Sequence, residues 1–173
     1  LTAAVDVDTT GTAAGNIVFS STIATAGFAL ALDAGAAGNI TLAAALTGGG
    51  AITIRDGAVQ SYQALTVSSL SILDATTSVT FNGTVTATGS ISVTSGGSIT
   101  QSANISAGGT TTLVTTGSGS IAVTTINAAG QALVLSSPGG SITQASGTIS
   151  ASTLQLTRSE EHTSELQSLR HLV

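Results

Sequence analysis

The chain reads Gly97-Ser98-Ile99-Thr100-Gln101 and later returns to Gly140-Ser141-Ile142-Thr143-Gln144. A third copy, Gly119-Ser120-Ile121-Ala122, lies midway, so that the two steps are nearly equal. Self-similarity at a fixed period of this length is the signature of a solenoid made of stacked repeats. The period is about 21 residues and predicts a fold of stacked coils.

Each repeat carries three short apolar segments, in which apolar and small polar residues alternate as in a strand. They centre on Ile99, Ile105 and Leu113, then on Ile121, Ile126 and Leu133, and then on Ile142, Ile149 and Leu154. Three strands of this size cannot bury their own apolar face, and stacking each on its counterpart one coil along solves the problem. The sequence therefore predicts an all-β, single-stranded parallel β-helix over residues 1–157. Seven coils would give a rod of roughly 35 Å.

The same rhythm continues upstream of these clean repeats. Gly15-Asn16-Ile17 recurs as Gly38-Asn39-Ile40, and Val79, Val85 and Ile91 supply one further set of three segments. Between residues 51 and 78 the register is open. Candidate strand centres there are Ile52, Val59, Leu65 and Ile72, and Tyr62 is predicted to mark a small irregular loop. An antiparallel β-sandwich remains the alternative fold.

Composition narrows the possible functions. Only 6% of residues are charged, the net charge is −5 and cysteine is absent, which excludes disulfides and thiolate metal sites. Before residue 158 the only basic side chain is Arg55, so we expect no nucleic-acid partner, because a phosphate backbone requires a Lys/Arg stripe. The apolar stretch Ile23 to Leu46 contains Gly27, Asp33 and Asn39, which favours a pair of Ala-rich strands over a membrane span. Without an initiator Met or a leader, the chain is interpreted as an internal fragment.

The acidic residues are the first candidates for chemistry. Asp6 and Asp8 could offer carboxylates to Ca²⁺, but the glycine- and aspartate-rich repeat of calcium-binding β-helices is absent, which favours solvated strand residues. We interpret Asp33-Ala34-Gly35 and Arg55-Asp56-Gly57 as turns. A polysaccharide-degrading enzyme would need paired acids and often a basic partner, yet residues 1–157 contain no His or Lys. We therefore predict no catalysis, no cofactor and no metal site, and a polysaccharide-degrading β-helix enzyme is the second alternative function.

Two further patterns have a functional and a structural interpretation. Asn39-Ile40-Thr41, Asn82-Gly83-Thr84 and Asn104-Ile105-Ser106 match the glycosylation sequon, but asparagine before an inward residue is better explained as a turn cap or ladder. Thr84-Val85-Thr86-Ala87-Thr88 resembles the Thr-x-Thr rows of ice-binding β-helices. Such a surface needs one pair per coil in the same column, and the repeats at 99, 121 and 142 do not keep that pattern. Ice binding or carbohydrate binding remains an alternative function.

With the Gly-Ser-Ile-Thr repeats in place, residues 1–157 resemble filamentous-haemagglutinin-type exoproteins and autotransporter passengers. The resemblance lies in the residue composition and the repeat period. It implies a right-handed parallel β-helix, secretion to the bacterial outer surface, and a structural or display role in adhesion. The partners that it implies are host-cell or matrix glycans and proteins, bound through a larger parent adhesin. The open strand edges also predict edge-to-edge self-association.

The composition changes abruptly at Arg158. The string from Arg158 to Ser168 holds every Glu of the chain and is the direct translation of the start of a common short-read sequencing adapter. The remaining residues agree with the continuation of that adapter. Residues 158–173 are therefore interpreted as a non-native tail that is disordered or a short helix, and no function is assigned to it. The spacing of His162 and His171 matches no compact metal-ligand pattern.

Overall fold

A computed structural model describes residues 1–11 and 15–158, except for the side chain of Ala129. The regular secondary structure of these residues consists of β-strands alone, and every strand pair is parallel. The predicted parallel β-helix is confirmed, and the alternative antiparallel sandwich is wrong. Alternating apolar and small polar residues favour short strands here, because such strands bury one side and expose the other.

Each turn of the β-helix has three strands, one on each of three faces. Face 1 comprises β1 (Val5–Asp8), β4 (Leu30–Asp33), β7 (Ala51–Asp56), β10 (Ser69–Ile72), β13 (Ile91–Ser95) and β16 (Thr111–Thr115). Face 2 comprises β2 (Ile17–Phe19), β5 (Ile40–Leu42), β8 (Val59–Tyr62), β11 (Ser78–Phe81), β14 (Ser98–Gln101), β17 (Ile121–Val123) and β19 (Ile142–Gln144). Face 3 comprises β3 (Ile23–Ala24), β6 (Leu46–Thr47), β9 (Leu65–Val67), β12 (Val85–Ala87) and β15 (Ile105–Ala107). Two longer strands, β18 (Ile126–Ser137) and β20 (Ile149–Arg158), run from face 3 onto face 1 of the next turn.

Most of the predicted strand centres lie in one column each. Ile99, Ile121 and Ile142 pair in succession on face 2. Ile105, Ile126 and Ile149 do the same on face 3. The third column differs, because Leu113 pairs with Leu135, whereas Leu133 pairs with Thr111 and Leu154. In β16 the buried Thr111 occupies the inward position that is apolar in the neighbouring turns. Leu113 therefore lies at the next inward position, two residues later.

Residues 51–78 have a definite register in the structure. Ile52 and Ile72 lie on face 1 and Leu65 on face 3. On face 2 the inward residue is Gln60, and Val59 is exposed at the start of its strand. The prediction of an irregular loop at Tyr62 is wrong: Tyr62 is buried in β8, where its hydroxyl is hydrogen-bonded internally.

The turns differ in length, which explains why this register is hard to read from sequence. The interval from Val5 to its partner Leu30 is the longest on face 1, whereas the interval from Ile52 to its partner Leu70 is the shortest. From Leu70 onward, the successive partners on face 1 are almost evenly spaced along the chain: Ile91, Thr111, Leu133 and Leu154. The predicted period is therefore regular only in the second half of the described chain.

The core consists of stacked aliphatic columns along all three faces. Residues such as Leu32, Ile40 and Leu65 are fully buried, and each such burial contributes roughly 1.5–3 kcal/mol. The glycine of the repeat has a backbone reason: a Cβ at Gly97 would collide with the carbonyl oxygen of Thr77 in the preceding turn. Where successive turns approach this closely, only glycine fits.

The stretch Ile23 to Leu46 is extended, as predicted, but it holds more than a pair of strands. It contains β3, β4, β5 and the first residue of β6. None of the described residues forms a helix that is long and apolar enough to cross a membrane.

Candidate functional site

Carboxylates of three successive turns lie in one column at the end of face 1. Asp8 pairs with Asp33, and Asp33 pairs with Asp56, across a small irregularity in register. Neighbouring parallel strands are about 4.8 Å apart, so these like charges are close neighbours. Asp74, which follows β10, adds to the negative potential at Asp56. This column is not evident in the sequence, because its members are unevenly spaced along the chain.

Arg55 reaches across one turn to Asp6. Its two terminal nitrogens donate to the two carboxylate oxygens over 2.7 and 2.6 Å, a bidentate ion pair. On the intervening strand β4, the residue beside Asp6 is the small Ala31, which leaves room for this contact. The ion pair holds the pKa of Asp6 below its ordinary value and raises the pKa of Arg55. Both side chains are about half exposed, so the pair is a weak surface interaction.

Asp8 and Asp33, the first two acids of the column, cap turns. The Asp8 carboxylate accepts hydrogen bonds from the hydroxyl and amide of Thr10, which lower its pKa. Asp33 accepts from the amide of Gly35 at 3.0 Å, which confirms the predicted turn at 33–35. Asp6 and Asp8 are thus strand residues, as predicted, and each carboxylate has a partner within the chain.

Asp56 is the acid in the least favourable environment. The predicted turn at 55–57 begins later than expected, because Arg55 and Asp56 still belong to β7. One carboxylate oxygen of Asp56 is buried without a hydrogen-bond partner, and burial, with Asp74 and Asp33 nearby, raises the pKa of this group. Within residues 1–11 and 15–158, no three acidic or histidine side chains come together in an arrangement that could hold a metal ion.

Face 2 carries two outward rows of uncharged, mostly polar side chains. One row passes from Ser78 to Ser98, and the other from Thr80 to Thr100, in register on neighbouring strands. Continued in both directions, the first row is Asn16, Asn39, Val59, Ser78, Ser98, Ser120 and Ser141, and the second is Val18, Thr41, Ser61, Thr80, Thr100, Ala122 and Thr143. Val18, Val59 and Ala122 interrupt these polar rows. The strands of face 2 contain no charged residue. The charged residues of the described strands therefore lie outside face 2.

The Thr-x-Thr stretch at 84–88 is not repeated in its own column. On face 3, Thr86 pairs with Thr66 on one side and Ser106 on the other, which makes a single outward row. The paired hydroxyl rows lie on face 2 instead, where the sequence reasoning missed them. The signal was available, because the repeat Gly-Ser-Ile-Thr places a hydroxyl on each side of an inward isoleucine.

The side chains of two sequon asparagines, Asn39 and Asn82, make hydrogen bonds between neighbouring turns. The side-chain oxygen of Asn16 accepts from the amide of Asn39, and that of Asn39 accepts from the amide of Val59. Asn82 donates from its side chain to the hydroxyl of Ser61. Serines continue the first pattern further along face 2, since the amide of Ser120 donates to the hydroxyl of Ser98. The predicted ladder is confirmed at Asn39.

His162, His171 and the rest of the predicted tail beyond Arg158 lie outside the described residues. Comparison with known proteins adds no relative: no family model, no curated protein and no solved structure matches this chain. The proposed function therefore rests on the fold and its surfaces.

Proposed function

We propose that residues 1–157 are a structural and display segment of a large, secreted bacterial adhesin-like protein, located on the outer cell surface. The observation that carries the proposal is the continuity of three strand columns over about seven turns, built from small, mostly uncharged residues. Such a solenoid is a rigid spacer whose length grows with the number of turns. Asp8 and Asp33 cap turns and Asp6 forms an ion pair, which suits a structural role.

The proposal is tested by transplanting the chain onto a cell. The full chain is fused between an outer-membrane anchor and a terminal epitope, beside a matched fusion that lacks it. We expect the β-helix to move the epitope outward, so that bulky antibodies bind it through the surface polysaccharide layer. Equal access in both fusions would contradict a display role.

The adhesin part of the proposal is tested separately with the purified chain. We expect no saturable binding to arrays of host glycans or matrix proteins, because in this proposal other regions of the parent adhesin bind the host ligands. Saturable binding would favour a binding module. Release of reducing ends from polysaccharides would favour an enzyme.

The paired hydroxyl rows of face 2 support a second candidate, in which this face binds ice or a hydroxyl-rich carbohydrate. Its rows repeat at about 4.8 Å along the β-helix and roughly 6.6 Å along each strand, and no charge interrupts them. The double variant Thr80→Tyr/Thr100→Tyr should abolish any inhibition of ice recrystallisation. The matched control, Thr66→Tyr/Thr86→Tyr on face 3, should leave it intact. No inhibition by the unmodified chain would remove the ice-binding candidate.

A further inference from the structure

The apolar columns of this β-helix are nearly interchangeable. On face 2 the same inward position is occupied by Ile40, Val79, Ile99 and Ile121 in different turns. A strand that skipped one turn and paired with the following one would still place an aliphatic residue on an aliphatic residue. Apolar packing alone therefore discriminates weakly between correct and skipped pairing, as in other repetitive strands.

One turn departs from this pattern by placing a polar side chain inside. Gln60 lies in that inward position, pairs with Ile40 and Val79, and is completely buried. Its amide nitrogen donates to the carbonyl oxygens of Gly57 at 3.3 Å and Asp74 at 2.7 Å. Its amide oxygen accepts from the Tyr62 hydroxyl at 2.7 Å. Because Asp74 belongs to the next turn, the network joins two specific turns.

An aromatic pair marks the same junction. Tyr62 and Phe81 are partners on neighbouring strands, and their rings stack with centroids 5.7 Å apart. One turn further along, the equivalent position is held by Gln101. If β8 paired with β14 instead of β11, Tyr62 would lose its aromatic partner and Gln60 would lose the carbonyl of Asp74.

One of the two carbonyl partners of Gln60 is local and the other is not. Gly57 lies three residues before Gln60, whereas Asp74 lies in the next turn, so the bond to Asp74 is the one that depends on how the turns pair. A Cβ at Gly57 would meet Ile40 and the Gln60 amide at 3.2 to 3.3 Å, so the space is already filled. Because the buried amide of Gln60 reaches the Asp74 carbonyl only when β8 lies beside β11, any other alignment leaves one of its amide hydrogens unpaired, which carries a free-energy cost.

We propose that Gln60, Tyr62 and Phe81 form a register pin, which selects the native pairing of turns while the otherwise repetitive β-helix folds. In the native register all polar atoms of Gln60 and the Tyr62 hydroxyl have partners. In a skipped register the local bonds to Gly57 and between Gln60 and Tyr62 would persist, but the buried Gln60 amide would lose the Asp74 carbonyl and Tyr62 would lose the Phe81 ring. The pin directs pairing and is not required for the final stability of the fold.

The test uses engineered cysteines in the full chain, which has none of its own. Ser61→Cys/Thr100→Cys places thiols two turns apart, roughly 10 Å, which is too far for a disulfide unless β8 pairs directly with β14. Thr80→Cys/Thr100→Cys joins neighbouring strands and reports the native register. Each pair is introduced with and without the pin-removing double variant Gln60→Ile/Tyr62→Leu, which keeps the column apolar, like Leu42 one turn earlier, and removes both the hydrogen bonds and the ring pair.

After refolding under oxidising conditions, removal of the pin should raise the yield of the skipped disulfide at least about tenfold, the factor that corresponds to about 1.4 kcal/mol of lost discrimination. Thr111→Val is the control, because the buried Thr111 hydroxyl has no partner and carries no register information. An unchanged yield would overturn the proposal. So would a pin-removing variant that never becomes β-rich, because the pin would then supply stability.

Discussion

Thr111 and Thr115 test the cost of a buried hydroxyl on one strand. Both are completely buried on β16, but the Thr115 hydroxyl donates to the carbonyl of Gly119 at 3.0 Å, whereas that of Thr111 has no partner. Thr111→Val should therefore stabilise the fold by about 1 kcal/mol, and Thr115→Val should destabilise it by about 1–2 kcal/mol. Urea unfolding of both variants measures the difference. Changes of the same sign would contradict the structural assignment.

Asp56 makes the stability of the fold depend on pH, and the direction of its pKa shift sets the sign of that dependence. Its pKa in the folded protein lies above the ordinary value of 3.8, so the ionised form is penalised by folding. The contribution of protonated Asp56 to the free energy of unfolding is fully present below pH 3.8 and is lost as pH rises through the pKa of the folded protein. Asp56→Asn should raise the melting temperature at pH 7, and this gain should disappear in acid.

Asp6→Asn is the matched control for that experiment. The pKa of Asp6 is lowered by Arg55, so its contribution is present at neutral pH and is lost as pH falls through the folded pKa. This variant should lose stability at pH 7 and resemble the unmodified chain in strong acid. Melting curves across the pH range distinguish the two signs, and parallel profiles for both variants would contradict them.

At the scale of elements, the turn between faces 3 and 1 contains a strained alanine. Ala26 has a positive φ of 51°, and the two glycines that follow the paired strand one turn later, Gly48 and Gly49, have φ of 100° and 71°. Left-handed backbone costs a residue with a Cβ about 1 kcal/mol, so Ala26→Gly should stabilise the fold by up to that amount. Gly49→Ala should destabilise it by a similar amount, since a Cβ there meets nothing within 4 Å and only the backbone is strained. Thermal unfolding tests the pair, and a stabilising Gly49→Ala would be contrary.

The elements also show which parts of the fold are encoded locally. Ile99, Ile121 and Ile142 could be aligned from sequence, because their turns are nearly equal in length. Gln60 could not, because a polar residue occupies an apolar column in an unusually short turn. The ion pair between Asp6 and Arg55 was equally hidden, since it joins distant residues across turns of unequal length. Local alternation predicts strands, whereas contacts between turns depend on the accumulated length of every turn.

At the scale of the whole molecule, the last described strand presents an apolar edge. Leu154 and Leu156 stack on Leu133 and Leu135 by one edge and are about half exposed. At the opposite end, β1 pairs through only one edge with β4 among the described strands. Such edges are templates for pairing with another chain, which supports the proposed edge-to-edge self-association.

We therefore expect the chain to associate increasingly with concentration in sedimentation velocity experiments. Leu154→Lys/Leu156→Lys should shift the distribution toward monomer, because an inward-pointing charge on an edge strand cannot be buried against a second copy without a large desolvation cost. The control is Leu73→Lys, which replaces an equally exposed leucine that follows β10 and lies on no edge. Loss of association in the Leu73 variant as well would point to general surface hydrophobicity. A monomeric unmodified chain at all concentrations would exclude edge pairing.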